Sequence, residues 1–467
     1  MGRRDSKSIS SSNLRINVLH DHGIRYGWPS PTLLKMVRGE APLVLTITQT
    51  SWMVSLMLLG HFVSPLPTGF LMDWFGRKRT CIYLSILPFT SWFMIFFASS
   101  AVDLYIARFT AGLWIGVTTT VMPLYVGEIA SPKIRDSLMT INNLLMNLGV
   151  LFSYVIGPYV SYHMLAFCCE CLTIFYFCLF FPMPESPHYY LRQQRREDAY
   201  RVLSWLRKGE SEENIESEIN RIEKAIEEQK LQKGTLKDIF FDDGNRKAIT
   251  ISITYAILKR MSGSSVMQAY ASLTLPDKTL KMLSPNTCVI IIGFISLFSA
   301  LSSTALAVRY RRRVLLTVSG GGCALTMAIV AVWFFLNNYT SVSVAAFSDI
   351  VFLSIALYYF FFNIGLGPNG TSIKGEIFSA NVKALSSSLT SLVVAFTGFL
   401  MNEFYLIIAD SFGMYINFII FSVASSLAVV FTWTYMPDTH NKTLEEIREI
   451  LSDSKNKQHS NDSSSKN

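Results

Sequence analysis

The charges embedded in or against apolar sequence are the residues able to do chemistry in this chain. Lys259 and Arg260 fall about a dozen residues into an apolar run, and Glu170 lies within another. Two adjacent cations in such surroundings favour an anion or require a carboxylate partner, because an isolated buried charge is unstable. The alternative is that both heads snorkel to the membrane edge. A second concentration, Gly69-Phe70-Leu71-Met72-Asp73-Trp74-Phe75-Gly76-Arg77-Lys78-Arg79, sets one acid and three cations between two apolar runs. Covalent and metal chemistry find no footing. Cys168, Cys169, Glu170 and Cys171 diverge around a helical turn with no His at ligand spacing. Ser319-Gly320-Gly321-Gly322 is followed by no Gly-Lys-Ser/Thr and reads as helix packing rather than a phosphate loop. No Ser/His/Asp set or carboxylate pair is visible, so no enzyme, metal or cofactor is expected.

The elements that position these residues are membrane spans. Half of the residues are hydrophobic and only 16% are charged, more apolar surface than a soluble chain can hide. Apolar runs near the roughly 20-residue spanning length lie at about 46–72, 80–100, 103–125, 138–160, 164–182, 248–271, 286–308, 314–336, 346–368, 384–408 and 412–435. The net charge of +8 sits in the tails, the turns and one central loop, which is a topology pattern and not a nucleic-acid patch. The turns at Arg77–Arg79, Lys133/Arg135, 188–247, Arg309–Arg313 and Lys383 are each two crossings apart. All therefore face the cytosol, and so does the C-terminus.

The expected fold is an all-α polytopic membrane protein. Its parts are an N-terminal tail with a degenerate or missing first helix (1–45), a bundle of spans two to six (46–187), a cytosolic helical linker (188–247), a bundle of spans seven to twelve (248–436) and a cytosolic tail (437–467). The first helix is in question because Arg15, His20, Asp21, His22 and Arg25 fall where it should be. Insertion scales set roughly 2–3 kcal/mol against each central charge. Loss of an upstream apolar segment is the favoured reading, with the N-terminus then outside. In the linker, Ile215, Ile219, Ile222 and Ile226 form a helical stripe able to pack beneath the bundle. Asn338-Tyr339-Thr340 is a glycosylation sequon in an expected outside loop.

Several motifs together resemble the sugar porter family of the major facilitators, which includes facilitative hexose carriers and insect trehalose-transporter-like proteins. They are the Asp73–Arg79 turn, Arg108-Phe109-Thr110-Ala111-Gly112, Pro123-Leu124-Tyr125-Val126-Gly127-Glu128-Ile129, Arg135, Pro184-Glu185-Ser186-Pro187 and Pro437-Asp438-Thr439. The last two echo each other after the sixth and twelfth spans, as in a duplication of two pseudo-symmetric six-helix bundles. The resemblance implies gating ion pairs among Asp73, Arg77, Arg108, Glu128, Arg135, Glu376 and Lys383. It also implies a substrate cavity that includes Asn143, Lys259, Arg260, Ser265, Asn363, Thr371 and Lys374. Here the chain departs from the pattern. The usual Gln-Gln-Leu-Ser-Gly pair of amides is Lys259-Arg260, the sugar-stacking Trp is Thr371, the preceding Glu is Asn363, and the second basic turn lacks Asp and Gly.

The implied function is alternating-access transport of a hexose or a disaccharide such as trehalose, by facilitated diffusion, in a plasma-membrane monomer whose partners are a small solute and the lipid bilayer. Lys259, Arg260 and Lys374 motivate an alternative, a carrier of a small anion. The divergent second half motivates a third, a transport-inactive sensor or scaffold.

Overall fold

The computed structural model describes residues 21–231, 235–275, 283–341, 347–368, 370, 377–378, 382–436 and 446, with residues 132–143 described by backbone alone. Among them the regular structure is helical. Each of the eleven apolar runs is occupied by helix: α3 (Ile47–Val63) with α4 (Pro65–Phe75), α5 (Arg77–Tyr83) with α6 (Ile86–Phe96), α7 (Ala101–Ile129), α8 (Pro132–Ile156), α9 (Tyr162–Phe180), α14 (Asp243–Met261) with α15 (Ser264–Thr274), α16 (Pro285–Arg309), α17 (Arg312–Tyr339), α18 (Asp349–Ile364), α19 (Lys383–Phe412) and α20 (Met414–Thr434). Among the described residues seven helices are long and apolar enough to cross a membrane, or eight when the pair α3/α4, bent by 45°, is taken as one span. The bend falls at Ser64–Pro65, where the proline removes a backbone donor. Helix starts carry their own signals. Thr46 with Gln49 and Ser100 with Asp103 form reciprocal capping boxes.

Of the two readings, degenerate or missing, the described residues carry helix where a degenerate first helix is expected. Residues 21–27 are helical and continue into α2 (Pro29–Val37), and positions 21–36 are all buried. The charges that argued against insertion find partners inside. The Arg25 guanidinium donates through Nε to Asp21 Oδ2 (2.9 Å) and through Nη1 to Ser91 Oγ (3.1 Å), and it lies 4.8 Å from the Trp92 ring centre. Trp114 Nε1–H and the Thr173 hydroxyl also donate to Asp21 (3.1 and 3.3 Å), and His22 hydrogen-bonds Thr118. Charge counting along a sequence treats each charge as alone in lipid. This group is neutralised within one turn and solvated by three other helices.

The chain forms two compact units. One comprises residues 1–231, 265–297 and 398–411; the other comprises 232–264, 298–397 and 412–467. In the first, α3 and α7 cross closely through glycines. A Cβ on Gly112 would lie 1.9 Å from the Met57 carbonyl oxygen, and one on Gly60 would lie 2.3 Å from that of Phe109. Gly112→Val is therefore expected to lower stability by about 1–3 kcal/mol or more, read as a fall in the thermal unfolding midpoint in detergent; an unmoved midpoint would refute this crossing.

The linker of the first unit is helical, with α10 (Pro187–Arg192), α11 (Arg196–Leu206) and α12 (Glu212–Leu231). Its isoleucine stripe is buried, but against the linker's own Leu191, Ala199 and Leu203. Arg207 links this small core to α7, donating to Glu218 (2.9 and 3.1 Å) and to the Ile129 carbonyl (3.1 Å). α13 (Leu236–Phe241) opens the second unit. There, two of the three glycines of Ser319–Gly322 serve packing. Cβ atoms would fall 2.6 Å from Val429 at Gly320 and 2.3 Å from the Phe361 ring at Gly322.

Candidate functional site

Two arrangements stand out, one in each unit. The first is a buried charge junction at the start of α5. Gly76 has φ +97°, and a Cβ there would lie 2.6 Å from a Glu185 carboxylate oxygen, so only glycine turns the chain this tightly against that group. The turn leaves the first-turn N–H groups of α5 without intrahelical acceptors. Glu185 takes them: Oε1 accepts from Arg77 N (2.8 Å) and Lys78 N (3.0 Å), and Oε2 from Arg79 N (3.2 Å). The Arg77 side chain turns away from Glu185 to Glu128 on α7, donating through Nη2 (2.9 Å) and Nε (3.2 Å) to one carboxylate oxygen. Ser186 holds the other oxygen. Arg77 is 2% exposed, so this pair works in a medium where losing either partner strands a charge. Tyr125 and Tyr189 close the junction by donating to the Pro184 (2.6 Å) and Trp74 (2.9 Å) carbonyls.

The other gating candidates lie elsewhere. Asp73 pairs at 3.6 Å with Arg192 on the exposed surface, where such pairs contribute little. Arg108 does not join the junction, and the reason is length: it sits 20 residues before Glu128 on the same helix, about 30 Å away at 1.5 Å per residue. It faces the Trp28 ring (5.5 Å) and donates to the carbonyls of Arg25 (3.0 Å) and Met53 (3.3 Å). Lys383 opens α19 in an exposed position. The Arg135 side chain and Glu376 lie outside the described residues.

The second arrangement is a pair of helix breaks in the second unit. α14 ends at Met261, and Gly263 (φ +94°) turns the chain against the Phe421 ring, 2.7 Å from where a Cβ would be. α18 ends at Ile364, before Gly365-Leu366-Gly367. Breaks inside an apolar span expose carbonyls that lipid cannot satisfy. Each has a donor here. Lys259 donates to the Gly367 oxygen, Tyr255 to that of Leu366 (2.9 Å), and Tyr358 to that of Ser262 (3.0 Å). The Leu366 N–H goes to Ser319 Oγ (2.9 Å). Lys259 thus has a backbone carbonyl among its partners, a role for a cation at the end of a helix. Arg260 is half-buried, and its Nε has no hydrogen-bond partner among the described residues. Asn363 is buried and donates to the Tyr359 carbonyl (3.0 Å). Ser265 belongs to the first unit, where it accepts from Asn402 Nδ2 (3.1 Å). The Asn143 side chain, Thr371 and Lys374 lie outside the described residues. Asn338 is exposed in the last turn of α17 rather than in a loop. Among the described residues no His, Cys, Asp and Glu cluster could hold a metal ion.

Sequence reasoning passed over three features. Glu185 was read as part of a signature without its role as acceptor for three amides. Asp21 and Arg25 were read as obstacles. Glu403, a single acid inside the apolar run 384–408, was not singled out, although a lone ionisable residue in a span is itself a signal.

The family model described as "Sugar (and other) transporter" matches residues 19–451. The facilitated trehalose transporter Tret1 of Bombyx mori is 27% identical over 426 residues, covering 91% of this chain and 83% of that protein. Tret1 of Drosophila willistoni is 25% identical over 428 residues, covering 91% of this chain and 49% of that protein. The chain thus spans about half the length of several curated relatives it matches, Tret1 of Anopheles gambiae among them at 53%. Among solved structures, the partially occluded inward-open xylose transporter XylE from E. coli superposes with a TM-score of 0.78 at 17% identity, covering 94% of this chain and 100% of that one. At that identity the likeness carries the fold, which is that of the major facilitators.

Proposed function

Because the chain belongs to the sugar (and other) transporter family, a family of multi-pass membrane carriers, we propose that it moves a neutral sugar, a hexose or a disaccharide such as trehalose, by alternating access without ATP hydrolysis. The observation that carries the choice of a neutral solute is that Lys259 donates to the Gly367 carbonyl, so part of the donor capacity of the cation that most suggested an anionic cargo is used inside the protein. The groups around the two helix breaks are hydroxyls and an amide: Tyr255, Ser262, Ser319, Tyr358 and Asn363. Such groups discriminate hydroxylated solutes, because a mismatched cargo leaves buried donors or acceptors unpaired. We propose further that the carrier is a monomer of the plasma membrane; the basic turns support a cytosolic C-terminus.

The test is uptake of radiolabelled trehalose, glucose and xylose into proteoliposomes. Saturable uptake of at least one is expected. Uptake of none above empty vesicles would overturn the sugar reading. Arg260 favours the second reading, an anion carrier, and Arg260→Gln separates the two. Sugar uptake should persist within about threefold in that variant, whereas a cargo that needs the guanidinium would lose about 2 kcal/mol or more of binding, roughly thirtyfold.

A further inference from the structure

The geometry points to Glu403 as a proton-binding site whose occupancy is tied to the contact between α3 and α19. Within the first unit, Glu403 on α19 is buried and meets Ser55 on α3, its Oε2 lying 2.6 Å from the serine Oγ. One turn away on each helix, the rings of Trp52 and Phe399 pack at 6.1 Å. Ser55 lies eight residues after the start of α3 and Glu403 nine before the end of α19, so each is about 12–14 Å along its helix from that end. Both residues lie within their apolar runs, 46–72 and 384–408.

A count of hydrogens shows which form of the acid fits. The Ser55 hydroxyl has one hydrogen and two acceptors within reach, Glu403 Oε2 and the Trp52 carbonyl (3.3 Å). If the carboxyl is ionised, one hydrogen must serve both. If it is protonated, it donates to Ser55 and Ser55 donates to Trp52, and each acceptor is filled. Neighbouring donors are spent. Asn402 Nδ2 serves Ser265 (3.1 Å) and the Gly398 carbonyl (2.8 Å), the Tyr270 hydroxyl serves the Asn402 carbonyl (3.3 Å), and Tyr405 shares its hydroxyl with Thr274 (3.0 Å).

Among the described residues no neighbouring cation pairs with the anion. From α3 the groups around Glu403 are Ser51, Ser55 and Trp52, none of which titrates. From α15 and α7 they are the phenols of Tyr270 and Tyr105, and on its own helix Tyr405. Phenols stay neutral well above pH 8. Arg108, also on α7, is engaged with the Arg25 and Met53 carbonyls. Glu403 belongs to none of the ion pairs among the described residues. Closing α3 against α19 thus desolvates a carboxylate with no cation beside it, and the closed contact takes one proton from bulk water to form the carboxyl O–H. Opening restores water, and the same proton leaves. No other reactant is needed.

The experiment is double electron–electron resonance in nanodiscs, without any solute, on the full chain carrying Val44→Cys and Ser411→Cys labels at the neighbouring helix ends, with the exposed Cys171 and Cys178 changed to Ser. The short-distance population should grow from pH 8 to pH 5, by up to about tenfold in closed-to-open ratio per pH unit, the limit for one proton. Glu403→Gln, which keeps a donor for Ser55, should hold the short distance at every pH. Ser55→Ala should keep the response with its midpoint at higher pH, since the carboxylate loses the hydroxyl that donates to it. A native distance distribution that does not change with pH, a pH response that survives Glu403→Gln, or an unmoved midpoint in Ser55→Ala would each overturn the assignment. Because no solute is present, the sugar reading can fail without affecting this result.

Discussion

Replacing Arg77 by Ala is expected to lower stability by about 3–5 kcal/mol, because it strands the Glu128 carboxylate in a junction where Arg77 itself is 2% exposed. The scale follows from the geometry. Two guanidinium nitrogens reach one Glu128 oxygen at 2.9 and 3.2 Å, and Ser186 alone would remain as a donor to that group. Arg77→Lys should recover only part of the loss, since an ammonium supplies the charge without the forked pair of donors. Pairing Arg77→Met with Glu128→Gln should recover more, because neither charge is then buried alone. Thermal unfolding of the purified variants in one detergent measures all three. If Arg77→Ala unfolds within about 1 kcal/mol of the parent, the junction is solvated and not buried.

Asp21→Asn is the second large effect. It removes the carboxylate that forms the ion pair with the buried Arg25, whose exposure is 0%, and weakens what Trp114 and Thr173 donate to. A loss of about 3–5 kcal/mol is expected from the unpaired cation. The double variant Asp21→Asn with Arg25→Met should be more stable than Asp21→Asn alone. If the single variant is neutral, residues 21–37 do not pack as described, and the first helix must be sought elsewhere.

The contrast between these two sites shows what a sequence reveals about such a chain. The apolar runs and basic turns were legible because insertion depends on local composition. Arg77 and Glu128 were legible as members of one charged set because both fall in motifs of the resembling family, but not as each other's partner. The first helix was not. Its charges are reconciled by Ser91 and Trp114, 66 and 93 residues away, and no count along the segment includes them. Lys259 is a similar case. Its acceptor is a main-chain oxygen at Gly367, which every residue owns and no composition displays. Arg108 could have been placed correctly, since its distance from Glu128 along one helix rules out a shared junction. Glu403 also left its mark, as one acid in an otherwise apolar run.

The dependence of Lys259 on Gly367 has a consequence for biosynthesis. The two residues are 108 positions apart, so at about 5–20 residues per second the ribosome completes the acceptor some 5–20 s after the cation. During that interval α14 carries a lysine and an arginine that lipid disfavours. The segment should therefore linger at the translocon, entering the bilayer together with α18 rather than in its own turn.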